Sequence, residues 1–296
     1  MASLPTLRQM QFLGALVRRG SFSRAAEDCF VSQSTLSAGI KEFEAHLGAP
    51  LVDRSAKGFA LTPLGEEVAV RAEAIVAQAG ELVRIAEAKP PLTGDLRLGL
   101  IPTIGPFLLP RLMAAMEADY PEARLFLRED LTEPLVAALR AGRLDMAVLA
   151  LPVEVEGLDT LIFASDPFDF ACRSDHPLAG RARVATTELQ DEHLLLLEDG
   201  HCLREHALSA CRLQDRRAAD AFGATSLFTL AQMVRAGLGT TLLPRLAVEQ
   251  GLAAGAGLVA LPVGQGESAP ARDLGLAWRR GSGREAEAKA LAALLG

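Results

Sequence analysis

The sequence predicts an N-terminal all-α winged helix-turn-helix head, a long linker helix, and a C-terminal α/β body in two lobes. Three observations predict it. Apolar residues in the first 60 positions recur at helical spacing between capping residues. An almost unbroken helical pattern then runs from Thr62 to about Ala88. From Gly94 onward, short apolar strands alternate with helices.

Residues 6–19 read as a helix with Leu7, Met10, Leu13 and Val17 on one stripe, stopped by Gly20. Ser21 can cap a second helix, Phe22 to Asp28. After the turn Cys29-Phe30-Val31, Ser32 can cap a third helix to about Leu47, with Leu36, Ile40, Phe43 and Leu47 on one face. The runs Leu51–Asp53 and Phe59–Leu61 flank Arg54-Ser55-Ala56-Lys57-Gly58, a small hairpin with a basic tip. Thr62-Pro63 opens the linker helix as cap and first residue. Along it Val68, Ala72, Ile75, Ala79, Leu82 and Ala86 form a seam suited to close pairing with a second copy; packing within one chain is the alternative. Lys89-Pro90-Pro91 ends it.

In the body, strand Leu96–Ile101, helix Phe107–Asp119, strand Arg124–Arg128, helix Glu133–Ala141 and strand Leu144–Leu149 make a βαβαβ unit, hence a parallel sheet. A second series has strands near Phe168–Arg173, Leu194–Leu197, Thr240–Leu243 and Leu258–Leu261, with helices after His201 and at Ser226–Ala236. Strand Asp273–Trp278 and helix Arg284–Leu295 return to complete the first sheet. The expected divisions are 1–61 (head), 62–90 (linker helix) and 91–296 (body), with lobe I at 91–164 and 270–296 and lobe II at 165–269. Crossing segments near 163–167 and 264–271 join the lobes, and a cleft between such lobes is the expected ligand site.

Composition bounds the function. No stretch of about 18 uncharged apolar residues exists, so no membrane span is expected. No secretory signal is evident at the start. Four cysteines without a Cys-x-x-Cys pair suit neither a disulfide framework nor zinc, and the scattered histidines lack ligand spacing. A reducing cytoplasm is expected, where a disulfide is transient rather than structural. The net charge of −7 is uneven: +2 over residues 1–60, −2 over 61–90 and −7 beyond. A slightly basic head on an acidic body is compatible with nucleic-acid binding through the head alone. The third helix presents Gln33, Ser34, Thr35, Ser37 and Lys41, able to meet base edges and phosphates in a major groove. Gln33 suits an adenine, while Ser32, Arg54 and Lys57 suit phosphate. A capped amphipathic helix in any small helical domain shows similar spacing.

Cys202 and Cys211 stand nine residues apart. On one helix their Cα atoms would be separated by about 13 Å, whereas a disulfide needs less than ~7 Å. Either they never bond or the segment between them unwinds, which would make the pair a switch. Cys202 follows Asp199-Gly200-His201 at a helix start, with Arg204 nearby, which favours thiolate; Glu198, Asp199 and Glu205 oppose. Two cysteines that merely fill apolar space remain the alternative. Cys29 and Cys172 receive no function.

A resemblance then enters. Ser21-Phe22-Ser23-Arg24-Ala25-Ala26, Val31-Ser32-Gln33-Ser34-Thr35-Leu36-Ser37, Leu51-Val52-Asp53-Arg54 and Leu61-Thr62-Pro63-Leu64-Gly65 resemble the head of LysR-type transcriptional regulators. The likeness extends through the linker helix and a two-lobed, periplasmic-binding-protein-like sensor. It implies dimers of dimers on double-stranded promoter DNA, acting with RNA polymerase. Leu197-Glu198-Asp199-Gly200-His201-Cys202-Leu203-Arg204, with Cys211, and Gly99-Leu100-Ile101-Pro102-Thr103-Ile104-Gly105-Pro106 resemble the peroxide-sensing OxyR branch. That implies an activator of oxidative-stress genes in which Cys202 reacts with hydrogen peroxide, Cys211 resolves it and a thiol reductant resets the disulfide. It also implies a peroxide pocket of Thr103, Thr132, His201, Arg204 and Arg272, with no cofactor. The sequence departs where relatives often have Leu-Pro-Cys, here Leu261-Pro262-Val263, and where a relative's histidine is replaced by Ala221.

Three functions compete: a thiol-switched regulator, a regulator of the same build with a small inducer in the cleft, and a cysteine-dependent enzyme. The last leaves the head idle and shows no His-carboxylate pair beside Cys202 by spacing, so no enzyme is expected.

Overall fold

The structure is a computed structural model that describes residues 4–53, 59–87, 90–153, 156–211, 224–264 and 269–296. It divides into two compact units, the first comprising Met1–Lys89 with Arg140–Arg143 and the second the rest of the chain from Pro90. The hairpin tip with Arg54 and Lys57, and the departure at Ala221, lie outside the described residues.

The first unit holds α1 (Leu7–Arg19), α2 (Phe22–Asp28), α3 (Gln33–Leu47) and α4 (Pro63–Glu87). Thr6 and Gln9 form a capping box on α1, and Ser32 Oγ accepts from the Thr35 N–H at the start of α3. Gly20 and Gly48 end α1 and α3 in the left-handed region. Ser21 precedes α2 but makes no side-chain cap. Between α3 and α4, Val52 and Leu61 form an antiparallel bridge, and the Asp53 N–H donates to the Ala60 carbonyl at 3.0 Å. Thr62 Oγ1 accepts from the Gly65 N–H and donates to the Pro50 carbonyl, fixing the start of α4.

The core of this unit is Leu13, Leu16, Leu36, Ile40, Phe43 and Leu51. Two expected stripes are corrected. On α1 the buried face is Phe12, Leu13 and Leu16, whereas Leu7 and Val17 are exposed, because the surface that α2, α3 and α4 cover is centred a few residues away from that stripe. On α3, Leu47 is exposed in the last turn while Leu36, Ile40 and Phe43 are buried. The linker seam also divides. Ala72 is buried and Val68 packs on the head core, while Ile75 and Leu82 are exposed together with Val70 and Val83. Two glycines permit close approach. A Cβ at Gly39 would lie 2.6 Å from the Phe12 ring, and one at Gly65 would lie 2.0 Å from the Leu51 carbonyl oxygen.

The second unit begins with β1 (Gly94–Leu100), α5 (Gly105–Asp119), β2 (Ala123–Glu129), α6 (Thr132–Arg140) and β3 (Met146–Leu151). Next come β4 (Leu158–Cys172), a 3-10 turn (Glu188–Asp191), β5 (Leu194–Leu195) and α7 (Cys202–Ala210). It closes with α8 (Leu227–Arg235), β6 (Thr240–Pro244), α9 (Arg245–Glu249), α10 (Leu252–Gly255), β7 (Val259–Pro262), β8 (Ala271–Arg279) and α11 (Glu285–Leu295). β1 pairs in parallel with β2 and β3, as the βαβαβ pattern requires, and β8 runs antiparallel to β3 and β4. The far end of β4 pairs with β6 and β7, and β5 lies beside β6.

The first expected crossing segment, 163–167, is not a loop. It is the middle of β4, a strand of 15 residues that belongs to both sheets. The second crossing meets it at once, since Ala271 and Arg272 of β8 pair with Pro167 and Asp166 of β4. Two cores result. Leu98, Leu100, Leu112, Met146, Val148 and Leu276 lie in one, and Phe168, Phe170, Leu230, Val234, Leu243 and Val263 lie in the other. Phe107 of α5 packs into the second core and stacks on Phe228 of α8 with ring centroids 5.9 Å apart, so the lobes are pinned across the junction.

Gly65→Ala places a methyl group against the Leu51 carbonyl that neither backbone can avoid cheaply. It is expected to destabilise the head by about 1–3 kcal/mol, read as a lower denaturant midpoint for the first unit.

Candidate functional site

The junction of the lobes is organised by an ion pair. Arg272 is among the largest fully buried side chains, and Asp166 lies directly opposite it in the β4–β8 ladder. Arg272 donates from Nε and Nη2 to Asp166 Oδ2 at 3.0 and 2.9 Å, from Nη1 to Thr103 Oγ1 at 2.8 Å and from Nη2 to the Thr103 carbonyl at 3.0 Å. The other Asp166 oxygen accepts from the Leu246 N–H at 2.9 Å. A guanidinium buried this deeply keeps its charge, and the facing carboxylate offsets the cost of taking that charge out of water. Burial pushes its pKa down while Asp166 holds it up. Thr103, only 3 % exposed, spends its acceptor side on Arg272 and keeps its O–H as a donor.

Cys202 begins α7 and packs against the first core, whereas Cys211, at the C-cap of the same helix, is buried in the second. Both are free thiols. Nine residues are about two and a half helical turns, so the two side chains leave α7 on opposite faces as well as at opposite ends. Burial raises the pKa of each. Cys211 is pushed up to about 12. For Cys202, burial also dominates; a contact with Thr132 and the charge of Arg272 pull its pKa down, and Glu205 pushes it up. The cation that acts on Cys202 is therefore Arg272, reached through the fold. Arg204 instead donates to the Leu197 carbonyl at 3.4 Å and faces Asp199 at 3.6 Å. The competition between helix terminus, cation and acids that the sequence left open is decided by burial.

Thr132, the first residue of α6, has a buried hydroxyl oxygen without a regular hydrogen bond among the described residues, beside Cys202. His201 stands at the N-cap of α7 without capping it; burial lowers its pKa and Glu198 partly restores it. Two residues of this site were not singled out from sequence. Asp166 carried no signal, because cross-strand register is not written in a local pattern. His206 did carry one: it lies four residues after Cys202, hence on the same helical face. Its Nε2 faces the Pro152 carbonyl at 3.2 Å, and its Nδ1 is buried without a hydrogen-bond partner among the described residues. Among the described residues there is no group of three or more metal-ligating side chains. Burial also raises the pKa of Cys29, and that of Cys172 to about 11, which suits packed, unreactive thiols.

On the head, Ser32, Gln33, Ser34, Thr35 and Lys41 are exposed along the start and one side of α3, and Ser37 is half-buried. Ser32 Oγ shares hydrogen bonds with Ser34 and Thr35, and the Ser23 hydroxyl of α2 holds the Gln33 side chain at 2.8 Å. Arg8 ties α1 to the Cys29 carbonyl in the turn, and Arg19 pairs with Asp28. These bonds brace α2 and α3 as one presenting surface.

Residues 7–66 match the bacterial regulatory helix-turn-helix family of LysR type, and residues 90–296 match the LysR substrate binding domain. The HTH-type transcriptional regulator EstR of Acinetobacter baylyi is 44% identical over 84% of this chain and 82% of its own length. A probable hydrogen peroxide-inducible genes activator of Mycobacterium avium is 40% identical over 99% of this chain and 94% of its own. A full-length OxyR from Pseudomonas aeruginosa with one cysteine replaced by aspartate superposes with a TM-score of 0.82 at 33% identity, covering 99% of this chain and 98% of that one. The chain belongs to the LysR family of transcriptional regulators. No helix among the described residues is long and apolar enough to cross a membrane.

Arg272→Ala leaves the Asp166 carboxylate buried without its cation. The expected cost is about 3–5 kcal/mol, measured by denaturant unfolding of the full chain, with Arg272→Lys recovering part of it.

Proposed function

We propose that this LysR-family chain is a cytoplasmic, DNA-binding transcriptional activator of oxidative-stress genes that senses hydrogen peroxide through reversible Cys202–Cys211 disulfide formation. The observation that supports it most directly is the placement of the two thiols on opposite faces of α7 and in two different cores. Peroxide oxidises the Cys202 thiol to sulfenic acid as its O–O bond breaks and one water leaves. The Cys211 thiol then attacks that sulfur, a second water leaves and the disulfide forms. The bond cannot close across a regular α7, so oxidation selects a chain in which the helix has unwound and each sulfur has left its core. A thiol reductant returns two electrons and resets the switch.

The pocket comprises Thr103, Thr132, His201, Arg204 and Arg272 around Cys202, with Arg272 and Thr132 favouring the thiolate that peroxide attacks. One turnover for each reduction makes this a sensor, not an enzyme. In the head, Ser32, Gln33, Ser34, Thr35, Ser37 and Lys41 meet a major groove, with Arg54 and Lys57 on the flanking backbone. The exposed Ile75, Leu82 and Val83 of α4 supply an apolar surface for a homodimer, and two dimers make a homotetramer on the operator that engages RNA polymerase. The domains are then 1–61, 62–90 and 91–296.

A LysR-type regulator with a small inducer in the cleft is the competing reading, and 44% identity to EstR keeps it in view. Stoichiometric peroxide followed by peptide mapping separates the two. The expected result is a Cys202–Cys211 peptide pair, faster amide hydrogen exchange across 202–211 and an altered footprint on operator DNA. Cys202→Ser is expected to lose all three, and a Cys202→Ser chain that still changes its footprint with peroxide overturns the proposal. Lys41→Ala is expected to weaken binding to all sequences alike and to reduce the salt dependence by about one phosphate contact, read by titration at several salt concentrations.

A further inference from the structure

The Cys202 thiol meets a difficulty that its pocket must resolve. Peroxide reacts with thiolate, yet burial raises the Cys202 pKa, so near neutral pH the sulfur carries its proton. Something must accept that proton as the S–O bond forms. Arg272 has no lone pair to offer. Asp166 is engaged on both oxygens by Arg272 and the Leu246 N–H. Glu205 is exposed.

We propose that Nδ1 of His206 is the proton acceptor for Cys202 during peroxide reduction. The inference rests on the peroxide-sensing reading and assigns a residue to its first step. Three observations carry it. His206 lies one helical turn beyond Cys202 on the same face of α7. Its Nε2 faces the Pro152 carbonyl, which can only accept, so Nε2 holds the ring proton and Nδ1 bears the lone pair. That lone pair is buried and unsatisfied among the described residues, an arrangement that costs free energy unless a donor arrives. The charged and polar groups facing the ring are Glu205 on its own helix, Arg272 from β8 and the Pro152 carbonyl after β3. Burial outweighs the Pro152 carbonyl and Glu205, which raise the imidazole pKa, and with Arg272 it lowers that pKa, which keeps the base unprotonated in the range where an ordinary histidine would be charged.

In the balanced step, the Cys202 S–H proton moves to Nδ1 while sulfur attacks one peroxide oxygen. The S–O bond forms, the O–O bond breaks and the departing hydroxide takes the proton from Nδ1. Sulfur loses two electrons, peroxide gains them, and sulfenic acid, water and neutral His206 remain.

The test is the second-order rate of Cys202 oxidation in the full chain, trapped with a dimedone-type probe and followed from about pH 5 to above the thiol pKa. In the wild-type chain the rate is expected to be nearly level between the imidazole and thiol pKa values. His206→Gln keeps a donor for the Pro152 carbonyl but has no proton acceptor of comparable basicity. It is expected to react roughly ten- to a hundredfold more slowly near pH 7. Its rate should climb about tenfold per pH unit as free thiolate accumulates and meet the wild-type rate above the thiol pKa. A His206→Gln deficit that is the same at every pH, or no deficit at all, overturns the proposal. So does a wild-type rate that itself climbs tenfold per unit, which needs no variant to detect. A wild-type chain that peroxide does not modify at Cys202 fails earlier, and sinks the peroxide reading instead.

Discussion

The regulatory unit depends on one buried charge pair. Asp166 and Arg272 face each other across β4 and β8 where β4 passes from one sheet to the other, and they gather Thr103, in the turn between β1 and α5, and Leu246, at the start of α9, around themselves. The pair contributes little net stability, because removing two charges from water costs about as much as their attraction returns. Its value lies in what it forbids. Any rearrangement that separates the strands leaves an uncompensated charge in an apolar junction, which penalises opening the platform beside Cys202.

The element that the proposed disulfide would displace is α7. With nine residues it is too short to be stable by itself and exists because both of its faces are covered. Leu203, Ala207 and Cys211 sit in the second core, while Cys202 packs on the first. A covalent bond between its ends cannot be accommodated by a small adjustment. A helix secured by two cores and the proposed bond between its ends exclude each other, a relation that suits a switch better than a graded response. The head shows the opposite design, with caps on α1 and α3, cross-braces at Arg8, Arg19 and Gln33, and glycines where helices touch.

Much of this is legible in the sequence. The head's helices, the cap at Ser32, the stop at Gly20 and the cap of α4 at Thr62 follow from residue chemistry acting over four or five positions, whereas Ser21, expected to cap α2, makes no such bond. Parallel pairing of β1, β2 and β3 followed from their alternation with α5 and α6. The antagonism between Cys202 and Cys211 followed from arithmetic on helical rise.

Other features were decided only by the tertiary structure. The buried face of α1 was set by what packs on it, not by its most regular apolar stripe. The segment 163–167 read as a crossing between the lobes, yet Ala164 to Pro167 all pair with β8, with a bulge at Phe163. Asp166 had no local signature, since a cross-strand partner is fixed by the register of two segments 106 residues apart. The cation beside Cys202 came from β8 rather than from the adjacent turn. Local sequence determines which elements form and where they end, because those interactions span one helical turn. Which charge meets which thiol, and how deeply each is buried, depends on distant strands meeting, and only the folded chain holds that information.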